Sequence, residues 1–130
     1  MGKDDLRKMI DEGDFTSHNN ISFHSFDGEQ LILKMLPDSR HISDLNILHG
    51  GVIYTLADTA TGILCRILGK NYVTIDAHMS YISNTPKGIE ILARASFVHK
   101  GNTVSVCEVE VYTKDKLLTK GTFTYHVYKK

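Results

Sequence analysis

The sequence predicts a single α+β domain over residues 1–130, in which a curled antiparallel β-sheet wraps around one long central α-helix. Three observations carry this. From Val52 to Leu68 apolar residues recur at steps of three and four, the period of a helix with a broad buried face. From Asn71 onward the period changes to two and stays so through three segments joined by short turns. Such direct turns leave no room for parallel crossovers, so the strands are antiparallel, and the apolar helix is the only long element on which their sheet can bury a face.

Each element follows from its own signals. Leu6, Met9 and Ile10 fall at helical spacing between about Lys3 and Glu12, with Gly13 as a stop, so residues 1–20 are expected to form a peripheral helix and loop. Ile21 to Phe26 and Gln30 to Leu36 flank Asp27-Gly28, a dipeptide suited to the positive backbone angles of a hairpin turn. A polar loop from Pro37 to Leu48 leads into the long helix, which runs about 28 Å at about 1.5 Å per residue before Gly69 ends it. Val73, Ile75, Ala77, Met79 and Tyr81 then alternate with Thr74, Asp76, His78 and Ser80, which assigns the first set to a buried face and the second to a polar outer face. After the turn Asn84-Thr85-Pro86-Lys87-Gly88, a strand carries Ile89, Ile91, Ala93, Ala95 and Phe97 on one side. Lys100-Gly101-Asn102 and Lys114-Asp115 separate it from strands over Thr103 to Tyr112 and Leu117 to Tyr128.

Composition excludes several function classes. Fifteen Lys+Arg balance fifteen Asp+Glu, so no general field draws nucleic acid or an anionic membrane, and neither is an expected partner. Cys65 and Cys107 lack the spacing of a disulfide framework or a zinc site and read as buried thiols in a reducing compartment. The charged N-terminus has no apolar signal region, and no stretch reads as long enough to span a bilayer; the expected location is cytoplasmic. His18, His24, His41, His99 and His126 are scattered without metal-ligand spacing, no nucleotide, serine-hydrolase or redox motif occurs, and nothing calls for a cofactor.

One residue contradicts the greasy helix that carries it. Asp58 lies among Tyr54, Thr55, Thr61 and Gly62, its neighbours at helical spacing. An aspartate on a helix ordinarily faces solvent, but two features argue otherwise. The helix opens with His49-Gly50-Gly51, whose unobstructed backbone N–H groups sit at the positive end of the dipole and suit an anion or oxyanion. Gly62, in mid-helix, costs about 1 kcal/mol relative to alanine unless another group must come close. A carboxylate two turns from exposed amides, beside small residues, is a candidate acid/base site.

HisGlyGly followed by LeuAlaAspThrAla on an apolar helix, with seven residues from the second glycine to the aspartate, resembles the PaaI-like hotdog-fold acyl-CoA thioesterases. The similarity runs from about Phe23 to Val127 and takes in VTIDAHMSYI, the Pro86-Lys87-Gly88 turn and VHKGNTVSVCEVEVY. It implies a homodimer with sheets joined edge to edge and sites between subunits, assembled further as a tetramer. It implies Asp58 as general base or nucleophile, the Gly50 N–H as oxyanion donor, His49 near the thioester, and Thr74 as a holder of the attacking water from the partner subunit. Gly51 falls within the matched motif, and Asn84, Lys100, Gly101 and Asn102 are candidate contacts to the CoA phosphates and pantetheine arm. Two positions depart from the family: Ser43 stands where asparagine is common, and Asn46, which tolerates the left-handed backbone, where glycine is common. Either supplies the missing polar contact, or the oxyanion site is weaker. The implied activity is hydrolysis of an acyl- or aryl-acyl-CoA, with acyl carrier protein thioesters as a lesser alternative and CoA as part of the substrate. The rival readings are a hotdog protein that binds acyl-CoA without turnover, and a hotdog hydratase, whose acid/base pair is not visible around His49 to Asp58.

Overall fold

The computed structural model describes residues 1–129. Two short helices, α1 (Lys3–Asp11) and α2 (Asp14–His18), lead into a hairpin of β1 (Ile21–Phe26) and β2 (Leu31–Met35). The long helix α3 (Gly50–Cys65) follows, and then β3 (Tyr72–Tyr81), β4 (Ile91–His99), β5 (Val104–Tyr112) and β6 (Leu117–Val127). All six strands form one antiparallel sheet in the order β1-β2-β4-β5-β6-β3. α3 crosses its inner face, where Ile53, Leu56, Ala57, Ala60 and Leu64 are fully buried against Leu33, Ala93, Val109 and Phe123. This is the hotdog arrangement that the sequence predicts.

Four expectations need correction. The N-terminal segment is not peripheral: Leu6 and Ile10 are fully buried in the main core, and a second helix occupies Asp14–His18 where the sequence predicts a loop. The long helix is α-helical only to Cys65; a 3₁₀ turn over Arg66–Leu68 ends at Gly69, whose φ of +80° is a left-handed stop. Gly50–Leu68, with mean hydropathy 1.3 over 19 residues, does meet the length and composition of a membrane span, and the enclosing sheet accounts for that hydropathy. Finally, the alternation of β3 breaks where a bulge between Thr74 and Asp76 inserts Ile75. One extra residue reverses the faces. Tyr72 and Thr74 therefore share the inner side with Ala77 and Met79, while Val73 and Ile75, expected to be buried, are 44% and 56% exposed.

The two sheet edges differ. β1 is covered by α1, and the Asp11 carboxylate accepts the Phe23 N–H at 2.8 Å beside a bulge. Among the described residues β3 has no strand or helix on its outer edge, which leaves a row of backbone donors and acceptors flanked by apolar side chains. Leu6→Ala tests whether α1 is part of the core: it is expected to lower stability by about 2–4 kcal/mol in denaturant titrations, the cost of truncating a fully buried leucine. A loss below about 0.5 kcal/mol, the scale of surface substitutions, would restore the peripheral reading.

Candidate active site

Asp58 is held by two hydroxyl donors. Thr74 Oγ1 donates to Asp58 Oδ1 at 2.7 Å, and Tyr125 Oη reaches the same oxygen at 2.8 Å. Both donors come from strands of the same chain, so Thr74 meets Asp58 within one subunit rather than across subunits as expected. The β3 bulge is what turns Thr74 toward the helix. Tyr125, on β6, also lies 2.6 Å from Thr61 Oγ1 and 2.9 Å from the Asp58 carbonyl, and burial pushes its hydroxyl well above the usual phenol range. It therefore stays protonated and able to donate. Tyr125 lies against Gly62, where an added Cβ would meet the hydroxyl at 3.4 Å and the ring at 3.5 Å, ordinary contacts that would narrow the space beside Asp58. Asp58 Oδ2 carries no hydrogen bond among the described residues.

A cleft of about 370 Å³ opens beside this carboxylate. Asp58, Gly62, Ile63 and Arg66 line it from the helix, and Tyr72, Thr74 and Tyr125 from the sheet. A smaller polar depression on the outer sheet face contains the Arg94–Glu110 ion pair at 3.0 Å. Tyr54, one helical turn before Asp58, packs its ring on Phe123, with centroids 5.3 Å apart.

The helix start forms a second cluster. His49 is the N-cap, and its Nδ1 accepts the Gly51 N–H at 2.9 Å. The Gly51 amide is thereby committed to the cap, and a neutral His49 carries its proton on Nε2. The Gly50 N–H has no acceptor among the described residues, while Tyr81 Oη donates to the Gly50 carbonyl at 3.1 Å and packs its ring against Gly50. Behind it, Asn84 Oδ1 accepts from Leu48 N–H at 3.1 Å and Nδ2 donates to Leu48 O at 3.0 Å. Asn84 therefore braces the entry to α3 through both ends of its amide. Ser43 and Asn46 shape the turn before the helix: Ser43 N–H donates to Ile47 O at 2.8 Å, and Asn46 adopts the left-handed φ of 60° that its residue type allows.

The loop Lys100-Gly101-Asn102 lies beyond the far end of the cleft. Tyr72 Oη is 3.5 Å from the Gly101 carbonyl, Lys70 Nζ donates to Asn102 O at 2.7 Å, and Lys100 sits over the Phe97 ring. Gly101 is obligatory, because a Cβ would fall 2.0 Å from the Val104 carbonyl. Within one chain, then, the expected residues form three groups: Asp58 with Thr74, His49 with Gly50 and Gly51, and the 100–102 loop. Sequence reasoning misses Tyr125. Gly62 is the only trace of the tyrosine.

An antiparallel sheet around one helix, with an oriented carboxylate on that helix and a bare amide at its start, defines a hotdog protein equipped to attack an acyl carbonyl. The chain belongs to the thioesterase superfamily, whose family model matches residues 45–120, and is an enzyme of the thioester-hydrolase class. It is 31% identical over 103 residues to acyl-coenzyme A thioesterase 13 of Mus musculus, covering 76% of this chain and 74% of that protein. A Streptococcus mutans protein solved bound to acetyl CoA is 28% identical, with a TM-score of 0.80 over 85% of this chain and 90% of that one. The Escherichia coli PaaI protein of the phenylacetic acid degradation operon, at 22% identity, shares the fold with a TM-score of 0.85, covering 91% and 87% of the two chains.

Tyr125→Phe removes one of the two donors on Oδ1 and leaves the ring in place. Thioester turnover is expected to fall about tenfold in kcat, the scale of a hydrogen bond to a charged group, with KM changed less than about twofold. Steady-state kinetics check this; a rise in KM at constant kcat would assign Tyr125 to substrate binding.

Proposed function

We propose that this protein hydrolyses acyl-CoA thioesters with Asp58 as the general base. The observation that carries this is the Asp58 carboxylate itself: one oxygen is fixed by Thr74 and Tyr125, and the other is unbonded at a cleft. In this reading Oδ2 takes a proton from water as the water oxygen attacks the thioester carbonyl. The tetrahedral oxyanion accepts the Gly50 N–H at the positive end of α3. Collapse breaks the carbon–sulfur bond, and the proton held by Asp58 passes to the leaving thiolate, releasing acid and CoA. His49, with its proton on Nε2, faces the leaving sulfur. A covalent variant has Asp58 attack the carbonyl directly.

One chain does not supply both groups to one carbonyl. Gly50 and Asp58 are eight residues apart, about 12 Å along the helix at about 1.5 Å per residue. A two-fold partner resolves this by bringing its helix start to the carboxylate of the first subunit. The open β3 edge, with Val73 and Ile75 exposed, supports a dimer formed by edge-to-edge pairing of β3, with a tetramer as a dimer of dimers. Lys100, Gly101 and Asn102 are the proposed contacts to CoA phosphate, Ser43 and Asn46 flank the oxyanion site, and the unpaired thiols Cys65 and Cys107 suit a cytoplasmic setting.

Asp58→Asn is expected to lower kcat for CoA release at least about a hundredfold, as loss of a general base does, while the protein stays folded. Undiminished turnover would remove Asp58 from the chemistry, and saturable acyl-CoA binding with no wild-type turnover would support the binding-protein reading. In light scattering at micromolar concentration the protein is expected to be a dimer or larger; a monomer with full activity would contradict the shared site.

A further inference from the structure

Arg66 stands apart from the other arginines. Arg40 pairs with Asp38 at 3.0 Å, Arg94 pairs with Glu110 at 3.0 Å, and Arg7 lies over the Phe23 ring at 4.9 Å. Among the described residues Arg66 has no carboxylate within 4.0 Å, no side-chain hydrogen bond and no ring under its guanidinium. It is half-buried and lines two hollows at once: the cleft beside Asp58, and a depression of about 160 Å³ where it joins Gly69, Lys70 and Asn71. Among the described residues Asp58 is the only carboxylate that lines either. The end of the cleft away from Asp58 is therefore cationic and short of counter-charge, a place for an anion.

Spacing and lining decide what runs between the two ends. Asp58, Gly62 and Arg66 recur at steps of four along one stripe of α3 and its 3₁₀ extension, about 12 Å from carboxylate to guanidinium position at 1.5 Å per residue. The lining is mixed: Gly62, Ile63 and Val73 offer apolar contact, and the hydroxyls of Thr59, Thr74 and Tyr72 offer partners for amides. A pantetheine arm has that composition, two amides in an otherwise largely aliphatic chain. Its sulfur and first phosphorus are about thirteen bonds apart, about 14–16 Å when extended, since three chain bonds span ~3.3–3.6 Å. With the thioester at Asp58, the diphosphate falls within reach of the Arg66 side chain. A neighbouring loop closes on the same point: Lys70 Nζ donates to Asn102 O at 2.7 Å, which ties the segment after α3 to residues 100–102.

We propose that Arg66, with Lys70 beside it, receives the diphosphate of CoA, and that the pantetheine arm lies along α3 of the same chain whose Asp58 attacks the thioester. The guanidinium offers a bidentate fork to phosphate oxygens. This extends the phosphate contact from the 100–102 loop to the end of α3, and it rests on the thioesterase reading. The test compares octanoyl-CoA with octanoyl-pantetheine, which has the same arm without the phosphorylated nucleotide, in the wild type, Arg66→Met and Arg66→Lys. The wild type is expected to favour the CoA ester at least about tenfold in kcat/KM, with the difference carried by KM. Arg66→Met loses most of that preference while its turnover of octanoyl-pantetheine stays within about twofold of wild type; Arg66→Lys, which keeps the charge without the fork, falls between the two. A wild type indifferent to the phosphorylated nucleotide overturns the proposal. So does an Arg66→Met loss that is equal on both substrates, which would assign Arg66 to the arm, the acyl group or the fold. Calorimetric titration with free CoA reads the same contact without chemistry: affinity is expected to fall about tenfold in Arg66→Met, and an unchanged affinity overturns the proposal. Absence of turnover with Arg66-dependent CoA binding intact would defeat the thioesterase reading alone, so the two failures are distinguishable.

Discussion

The Asp58 carboxylate, fixed through one oxygen by Thr74 and Tyr125, is the contact on which the rest of the arrangement depends. It ties three elements together: the central helix, the bulged edge strand and the strand beside it. Each is shaped for it. Small residues on α3, Thr61 and Gly62, let the Tyr125 ring come close enough for its hydroxyl to reach both the carboxylate and the helix backbone. The bulge at Ile75 turns Thr74 inward. A half-buried acceptor with two good donors is well specified, and the same geometry leaves Oδ2 without a hydrogen bond at the cleft.

Helix length sets the second constraint. Because the bare Gly50 amide and the Asp58 carboxylate are separated by about two turns of α3, the chemistry is proposed to run between two chains. The sheet is consistent with that division. Its β1 edge is closed by α1 and the Asp11 contact to Phe23, whereas its β3 edge is open and apolar. The same bulge that aims Thr74 at Asp58 pushes Val73 and Ile75 outward, so one backbone irregularity serves both the site and the proposed subunit contact.

Much of this is legible in the amino-acid sequence. The apolar steps of α3, the Asp27-Gly28 hairpin and the final meander have boundaries close to those their patterns predict, because each rests on local periodicity and turn chemistry. Periodicity puts the first half of β3 in the wrong phase, since Val73 and Ile75 are as apolar as Ala77 and Met79, and an inserted residue leaves no mark in composition. The helix Asp14–His18 is too short to produce a period. At the site, Asp58, Thr74 and Gly50 are visible as motif residues, but Tyr125 is not. It lies 67 residues from Asp58 and reaches it only through strand register, which no local pattern encodes. Nor does local pattern reveal that the Asn84 amide holds the backbone of Leu48, a contact made across 36 residues.

The central claim is that one chemical site is assembled from the carboxylate of one subunit and the helix start of the other. Subunit complementation tests it most directly. Gly50→Pro deletes the oxyanion N–H at a position where proline is favoured, and the extended His49 backbone before it, at φ −65° and ψ 131°, suits a following proline. Gly50→Pro and Asp58→Asn proteins, each nearly inactive alone, would be mixed under conditions of subunit exchange. Shared sites predict recovery of about a quarter of wild-type activity from the mixed dimers, each with one intact site. A mixture no more active than its two components, with exchange demonstrated, would contradict the account.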